Sequence, residues 1–139
     1  MAGPSDVIEA VSKLQDHSTS NPASISQKAA LAALNAPDDF SKEMACEFQK
    51  RRDYAVERLT EMKRIGFVKP KGAFYIFCDI SRLGLDSQTL ANRLLEEAHV
   101  SIIPGKAFGR DDYVRISFAA SIEEIKKGMD RLKGWLDKL

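Results

Sequence analysis

The sequence is poor in the features that mark several classes of protein. It has two cysteines in 139 residues, Cys46 and Cys78, which lie far apart and show no C-x-x-C spacing. Neither a disulfide framework nor a metal site is therefore indicated, and we expect both thiols to be reduced packing residues. Neither sign of charge is in large excess, because 21 Lys+Arg and 20 Asp+Glu give a net charge of +1. With the signs interspersed, we expect neither nucleic acid nor a membrane as a partner.

Long apolar runs are missing too. No stretch approaches the roughly 20 apolar residues of a membrane span, and the opening segment 1–6 has no signal-peptide character. We therefore expect a cytoplasmic protein. At 139 residues with 44% hydrophobic content, the chain is long enough to enclose one core, since chains of this size bury about 68–70% of their unfolded surface.

The first 36 residues predict two short helices. An amphipathic pattern covers Pro4–Gln15, and the polar segment Asp16–Pro22 follows as a loop. Ser24, with Gln27 three residues later, is typical of the capping box that begins a helix. The alanine-rich run to Leu34 predicts a second helix that permits close approach of its neighbours.

A longer helix is predicted from about Asp39 to Lys63. Its apolar stripe consists of Phe40, Met44, Phe48, Ala55, Leu59 and Met62. A helix of about 25 residues is about 37 Å long, more than a compact domain of this size needs, so we expect it to connect two parts of a larger structure. The alternative is a coiled-coil or bundle helix, but the stripe is not a sustained heptad repeat and no helix of matching length follows.

The rest of the chain predicts an α+β domain. Strands are expected at 73–79, 100–103 and 113–118, the first of them central in its sheet. Helices are expected from about Ser87 to His99 and after Ser121, which we expect to be an N-cap. The apolar stripe of the last helix is Ile122, Ile125, Met129, Leu132, Leu136 and Leu139, with Trp135 off it. This order predicts a small mixed or antiparallel sheet covered by helices, preceded by the two short helices and the long connecting one.

Arg115 places a charge in the middle of the last strand. Alternation puts it on one face with Tyr113 and Ser117, while Val114 and Ile116 lie on the other. One interpretation is an arginine on the solvated face of an antiparallel sheet. The other is a guanidinium that binds both oxygens of a carboxylate.

The turn before this strand favours the second interpretation. It reads P-G-K-A-F-G over 104–109, with two glycines around Phe108. Glycine-rich turns allow the backbone to approach a ligand closely. Whether Phe108 contacts the ligand or only packs the turn stays open.

Three separated motifs resemble those of the class I aminotransferases, the fold-type-I enzymes that use pyridoxal phosphate, with an aspartate aminotransferase-like pattern. They are P-K-G-A-F-Y-I-F at 70–77, P-G-K-A-F-G at 104–109 and Y-V-R-I-S-F at 113–118. The S-T-S-N-P loop at 18–22 between two helices also follows the family's order. The resemblance covers essentially the whole chain.

The resemblance implies roles for four residues. In the family the arginine of the last strand binds the α-carboxylate of the substrate, which assigns that role to Arg115, with Phe108 beside it. The family's homodimers place the loop after the first helix at the subunit interface, so Ser20 and Asn21 are expected to reach toward the neighbouring subunit's active site.

The resemblance also implies what the chain lacks. Residues 1–36 would be a remnant of the large-domain and interface region, 37–64 the long interdomain helix, and 65–139 the C-terminal small domain. The family places its Schiff-base lysine and most of the cofactor site before this point. We therefore expect no catalytic residue in this chain, pyridoxal 5'-phosphate in the full-length parent, and no stable cofactor binding by the chain itself.

The expected function is accordingly amino transfer between an amino acid and a 2-oxo acid by the longer parent, with this chain inactive alone. Its partners would be those substrates, the rest of the aminotransferase chain and a second copy. A stand-alone carboxylate-binding or protein-interaction module of the same fold is the alternative. A third possibility is a fragment that self-associates through uncovered apolar faces.

Overall fold

The computed structural model describes residues 2–139, which divide into two units. One unit ends at Asp39 and the other begins at Phe40. No helix within residues 2–139 combines the length and apolar character needed to cross a membrane.

The amino-terminal unit contains helices α1, Ser5–Ser18, and α2, Ser24–Asn35. Helix α1 continues beyond Gln15, so the prediction of a loop from Asp16 is wrong for its first residues. The polar side chains do not stop the helix, and Ser18 Oγ, in its last residue, donates a hydrogen bond to the carbonyl of Leu14 at 2.7 Å. The loop is confined to 19–23.

The predicted capping box at the start of α2 is wrong. Ser24 is the first helical residue, and the N-cap, Ala23, provides no side-chain hydrogen bond. The side-chain Nε2 of Gln27 instead donates to the carbonyl of Pro22 at 2.8 Å. The predicted start of the helix is therefore correct, but the predicted capping interaction is not. The turn at Pro22 brings a different carbonyl within reach of the Gln27 side chain.

Helix α3, Asp39–Thr60, is the longest element with 22 residues and ends before the predicted Lys63. It is about 33 Å long at about 1.5 Å per residue. Ala55 and Leu59 are fully buried in the core, whereas Phe40 is 73% exposed. The second half of the apolar stripe therefore packs as predicted, and the first half has no cover within its own unit.

The sheet has four strands in the order β1-β2-β4-β3, and every neighbouring pair is antiparallel. The strands are β1 (Gly66–Phe67), β2 (Tyr75–Asp79), β3 (Ile103–Pro104) and β4 (Tyr113–Ser117). The central position of β2 confirms the prediction. Strand β1, too short to carry a pattern, was not predicted.

Strand β3 is shorter than the predicted 100–103. The backbone of His99 adopts a left-handed conformation at φ 55° and ends the preceding helix. The amide of Val100 then donates to the carbonyl of Leu94 at 3.0 Å. Val100 thus completes the helix end, as in other left-handed C-caps, and is not available to a strand.

Helices α4 (Ser87–Ala98) and α5 (Ile122–Leu136) pack on one face of the sheet. Ser121 accepts a hydrogen bond from the amide of Glu124, which confirms it as the N-cap of α5. Strands β2 and β4 contribute four buried side chains to the core, Ile76, Cys78, Val114 and Ile116, and Phe118, directly after β4, joins them. The predicted α+β class is therefore correct.

The prediction that both cysteines are packing residues fails for Cys46 and holds for Cys78. Trp135, which lies off the predicted stripe, is buried beside α4, where its indole Nε1 donates to Glu97 at 2.7 Å. Cys46 is exposed because it lies on the uncovered half of α3. Cys78 is a buried free thiol, as predicted, and burial raises its pKa to about 12.

Gly105 allows a close approach of two backbone segments. A Cβ there would collide with the carbonyl oxygens of Arg110 and Tyr113. We expect Gly105→Ala to lower the free energy of unfolding by about 1–3 kcal/mol or more. The colliding atoms belong to the backbone, which cannot move aside as a flexible side chain can. Urea denaturation measures the change.

The matched control is Gly134→Ala on α5, where no atom lies within 4 Å of the added Cβ. Alanine is favoured over glycine in a helix by about 1 kcal/mol, so this variant should be as stable as the parent or more stable. Equal stability of Gly105→Ala and the parent would contradict the proposed collision.

Glu97 and the single tryptophan provide a pH test. The Arg93 guanidinium, and then the Trp135 indole N–H, hold the pKa of Glu97 below its usual range. Ionised Glu97 therefore stabilises the folded state above the ordinary glutamate pKa of about 4.3, and this contribution is lost as pH falls through the lower, folded pKa. Tryptophan fluorescence should show a step below about pH 4.3, and Glu97→Gln should remove it. Persistence of the step in Glu97→Gln would assign it to another group.

Candidate functional site

The face of the sheet away from the core carries aromatic rings and the charged side chains of Arg115 and Asp79. We call Tyr75, Phe77, Phe108, Tyr113 and Arg115 the aromatic face. The four members on β2 and β4 are half-buried and alternate with fully buried core residues. This alternation confirms the prediction that Arg115 and Tyr113 share a face opposite Val114 and Ile116.

The register of β2 and β4 brings the aromatic side chains to Arg115. Phe77 lies directly opposite Arg115 in the ladder, and Tyr75 is opposite Ser117. Tyr75 is thus a diagonal neighbour of Arg115, within the reach of a long side chain on the same face. The Arg115 Cζ lies 5.1 Å from the centroid of the Tyr75 ring.

The P-G-K-A-F-G turn supplies the second ring. Its 3-10 segment, Gly105–Phe108, ends at Gly109, whose φ of 81° suits glycine. The Phe108 ring is 49% exposed, and its centroid lies 4.8 Å from Arg115 Cζ. Phe108 also meets Phe77 edge to face at 6.1 Å. The structure therefore brings together Phe108 and Arg115, two residues singled out from the sequence.

Arg115 differs from its neighbour Arg110 in its partners. Arg110 stacks on Tyr113 at 4.3 Å and pairs with both carboxylate oxygens of Asp112, at 2.8 and 2.7 Å. This pairing raises the pKa of Arg110 above its usual range. Within residues 2–139, Arg115 has ring contacts and no carboxylate partner. Its in-plane N–H donors are available to a ligand.

A cavity lies in front of Arg115. It has a volume of about 300 Å³ and is lined by Tyr75, Phe77, Phe108 and Arg115. A second, mostly apolar cavity of about 600 Å³ shares Tyr75 and Phe77 with it and extends toward β1. The available charge thus stands at the edge of a wider apolar surface, an arrangement suited to a small molecule with one anionic end.

Ser20 and Asn21, the other two predicted site residues, belong to the amino-terminal unit. Both are exposed in the loop between α1 and α2. Ser20 has a φ of 60°, and its amide donates to the carbonyl of Gln15. Their predicted role at a neighbouring active site remains a prediction.

Sequence reasoning missed Tyr75 and Phe77 as neighbours of the arginine. The aromatic strand was recognised, but its register with β4 follows from pairing between segments nearly 40 positions apart. The two residues could have been found by assuming that the aromatic strand pairs with the strand of Arg115 and then selecting its alternate positions, which include Tyr75 and Phe77.

Comparison with known proteins identifies the family. The aminotransferase class I and II profile matches residues 1–132. The probable aspartate/prephenate aminotransferase of Rickettsia prowazekii (strain Madrid E) is 44% identical over 142 residues, covering 95% of this chain and 36% of that protein. The aspartate aminotransferase of Bacillus subtilis (strain 168) is 37% identical over 142 residues, covering 99% and 36%.

Solved structures agree with this result. The aromatic aminotransferase from Pyrococcus horikoshii OT3 superposes with a TM-score of 0.92 at 39% identity, over 99% of this chain and 38% of that one. The chain thus spans about 36% of the length of the curated relatives it matches. On its motifs, its fold and these matches, it belongs to the class I and II aminotransferase family.

Proposed function

We propose that this chain is the C-terminal part of a pyridoxal-phosphate-dependent aminotransferase, in which Arg115 binds the α-carboxylate of an amino acid or 2-oxo acid. The proposal rests on the environment of the Arg115 guanidinium. This group lies over the rings of Tyr75 and Phe108, faces a cavity, and has no carboxylate partner among residues 2–139.

The aromatic rings and the N–H donors of Arg115 have different roles in this proposal. Tyr75 and Phe108 attract the cation through their π faces and restrict the plane of the guanidinium. A planar guanidinium then binds both oxygens of a carboxylate through parallel N–H donors. Holding the carboxylate in one plane fixes one end of the substrate and so restricts the orientations that the bond from its Cα to its hydrogen can take. Arg115 therefore contributes orientation to the reaction rather than a proton.

The described residues do not fit the cofactor by themselves. No lysine lines the cavity beside Arg115, and Lys13 pairs with Glu9 at 2.9 Å on an exposed face of α1. A Schiff-base amine must therefore come from another part of the parent protein. The chain's own contribution is limited to binding and orienting the carboxylate, and alone it should not transaminate.

The domain assignment and the partners belong to the same proposal. Residues 1–36 would pack in the large-domain and interface region, 37–64 would connect the domains, and 65–139 would form the small domain. In a homodimer, Ser20 and Asn21 would reach the neighbouring subunit's site. The aromatic face would then close one side of a cytoplasmic enzyme's substrate pocket.

Substitution of Arg115 tests the proposal. In an enzyme assembled from this chain and the part of the Bacillus subtilis aspartate aminotransferase that it does not match, Arg115→Ala should lower kcat/KM for aspartate roughly 30- to 5,000-fold, corresponding to the loss of about 2–5 kcal/mol from an unpaired carboxylate. Arg115→Lys should not restore the rate, because a point charge lacks the bidentate geometry. Steady-state kinetics measure both.

Arg110→Lys is the matched control, since Arg110 also stacks on a ring but is already paired with Asp112. It should keep kcat/KM within a few-fold of the parent. The chain alone, mixed with aspartate, 2-oxoglutarate and pyridoxal phosphate, should not exceed the free-cofactor rate. Turnover by the chain alone, or an active Arg115→Ala enzyme, would refute the assignment.

A stand-alone carboxylate-binding or interaction module is the second candidate. It is favoured by one observation: the ring contacts and the cavity at Arg115 are formed by residues of this chain. Such a module would need no further domain to be soluble as a monomer. The exposed apolar side chains of the amino-terminal unit argue for the first candidate, since Leu34 is 84% and Ile25 78% exposed.

The association state separates the two candidates. If the chain is part of a larger enzyme, sedimentation velocity should show concentration-dependent oligomers, because the apolar side chains of α1 and α2 have no cover. The double variant Ile25→Glu, Leu34→Glu should shift the population toward monomer, whereas Val68→Glu, at an equally exposed site in the other unit, should not. A monodisperse monomer at all concentrations would favour the module.

A further inference from the structure

The turn that carries Phe108 is held by hydrogen bonds to one buried serine, Ser87. Ser87, at the start of α4, is the polar residue that the described chain, 2–139, buries completely. A buried hydroxyl without partners is destabilising, so the groups that satisfy it are determined by the fold.

Ser87 uses its hydroxyl both as donor and as acceptor. Its Oγ donates to Oδ1 of Asp111 at 2.6 Å and accepts from the amide of Lys106 at 3.2 Å. The amide of Ser87 also donates to the carbonyl of Asp111 at 2.9 Å. One residue of α4 thus binds two positions that are close to Phe108 in the sequence, one on each side.

These two positions are the arms of the Phe108 turn. Lys106 lies two residues before Phe108 and Asp111 three residues after it, two residues ahead of β4. Gly105 completes the attachment, since its carbonyl accepts from the amide of Arg110 at 3.1 Å. The base of the turn is therefore attached to a buried side chain, while the ring of Phe108 is half-exposed over Arg115.

We propose that Ser87 and Asp111 are positioning residues for carboxylate binding: their hydrogen bonds hold the Phe108 ring over Arg115, and the ring holds the guanidinium with its in-plane donors toward the cavity. This inference rests on the proposed function of Arg115. Neither residue contacts the ligand. Without these hydrogen bonds, the long side chain of Arg115 samples more rotamers. The entropy lost when a carboxylate orders that side chain then weakens the binding affinity.

The test uses the chain itself, labelled with ¹⁵N. Three readouts are followed by NMR: hydrogen exchange of the Lys106 amide, the Nε–Hε resonance of Arg115, assigned by its loss in Arg115→Lys, and the dissociation constant for 2-oxoglutarate. In Ser87→Ala we expect at least tenfold faster exchange at Lys106. The Arg115 resonance should move toward its position in Phe108→Leu, because the ring current is displaced, and affinity should fall severalfold.

Two further variants distinguish positioning from general loss of structure. Asp111→Asn keeps an oxygen that accepts from Ser87 Oγ, so it should restore most of the signal and affinity that Asp111→Ala loses. Ser121→Ala removes another serine hydroxyl at a helix start, the N-cap of α5. It should lower the Tm without changing the Arg115 resonance or the dissociation constant.

The outcomes are decisive in each case. If Ser87→Ala lowers the Tm as Ser121→Ala does but leaves the Arg115 resonance and the affinity unchanged, Ser87 is only structural and the proposal is overturned. If Ser87→Ala does not fold, the pair Asp111→Ala and Asp111→Asn supplies the same comparison. If the unsubstituted chain binds no 2-oxoglutarate, carboxylate binding by this chain alone is refuted, and the Arg115 resonance decides whether Ser87 positions that side chain.

Discussion

The pairing of β2 with β4 is the constraint from which the site and the core both follow. Its register sets Phe77 opposite Arg115 and, one position along, Cys78 opposite Val114. Because side chains alternate across a strand, this one register sends Cys78 and Val114 into the core and keeps Phe77 and Arg115 on the other face. A slip by one residue would exchange the two sets and bury a guanidinium among aliphatic side chains.

The same register explains why two arginines of similar sequence context differ. Arg110 precedes β4, in the turn, where Asp112 is close enough to pair with it through both oxygens. Arg115 lies inside the strand, where its neighbours on the sheet face are aromatic rings. A guanidinium that is held by rings alone keeps its hydrogen-bond donors, which is the property a carboxylate site requires.

The parts outside the core leave apolar side chains uncovered. The first half of α3 extends beyond the residues it packs against, and Phe40 and Met44 are exposed there. Both helices of the amino-terminal unit lack buried residues. These uncovered apolar surfaces agree with a chain that spans about 36% of the length of its relatives. The second half of α3 is different, because Arg58 pairs with Asp130 of α5, and Glu61, directly after α3, pairs with Lys133 of α5.

Some of the architecture was determined by the sequence alone. The five helices, the strands at Tyr75 and Tyr113, the N-cap at Ser121 and the faces of β4 all follow from local periodicity and capping chemistry, which act within a few residues. The motifs around Phe108 and Arg115 also identified the family. Local rules failed where distant groups competed: Gln27 bonds to Pro22 instead of capping, and Val100 closes a helix instead of starting a strand.

Only the tertiary structure decided which side chains surround Arg115 and what holds them there. Tyr75 reaches the guanidinium from a strand 40 residues earlier, and Ser87 fastens the Phe108 turn from a helix 19 residues before Lys106. Alternation places Tyr75 on one face of its strand, but nothing local determines which strand lies beside it, and the Ser87 contact has no motif in the sequence. Both depend on strand register and helix packing, which are set by the fit of the whole core rather than by any one segment.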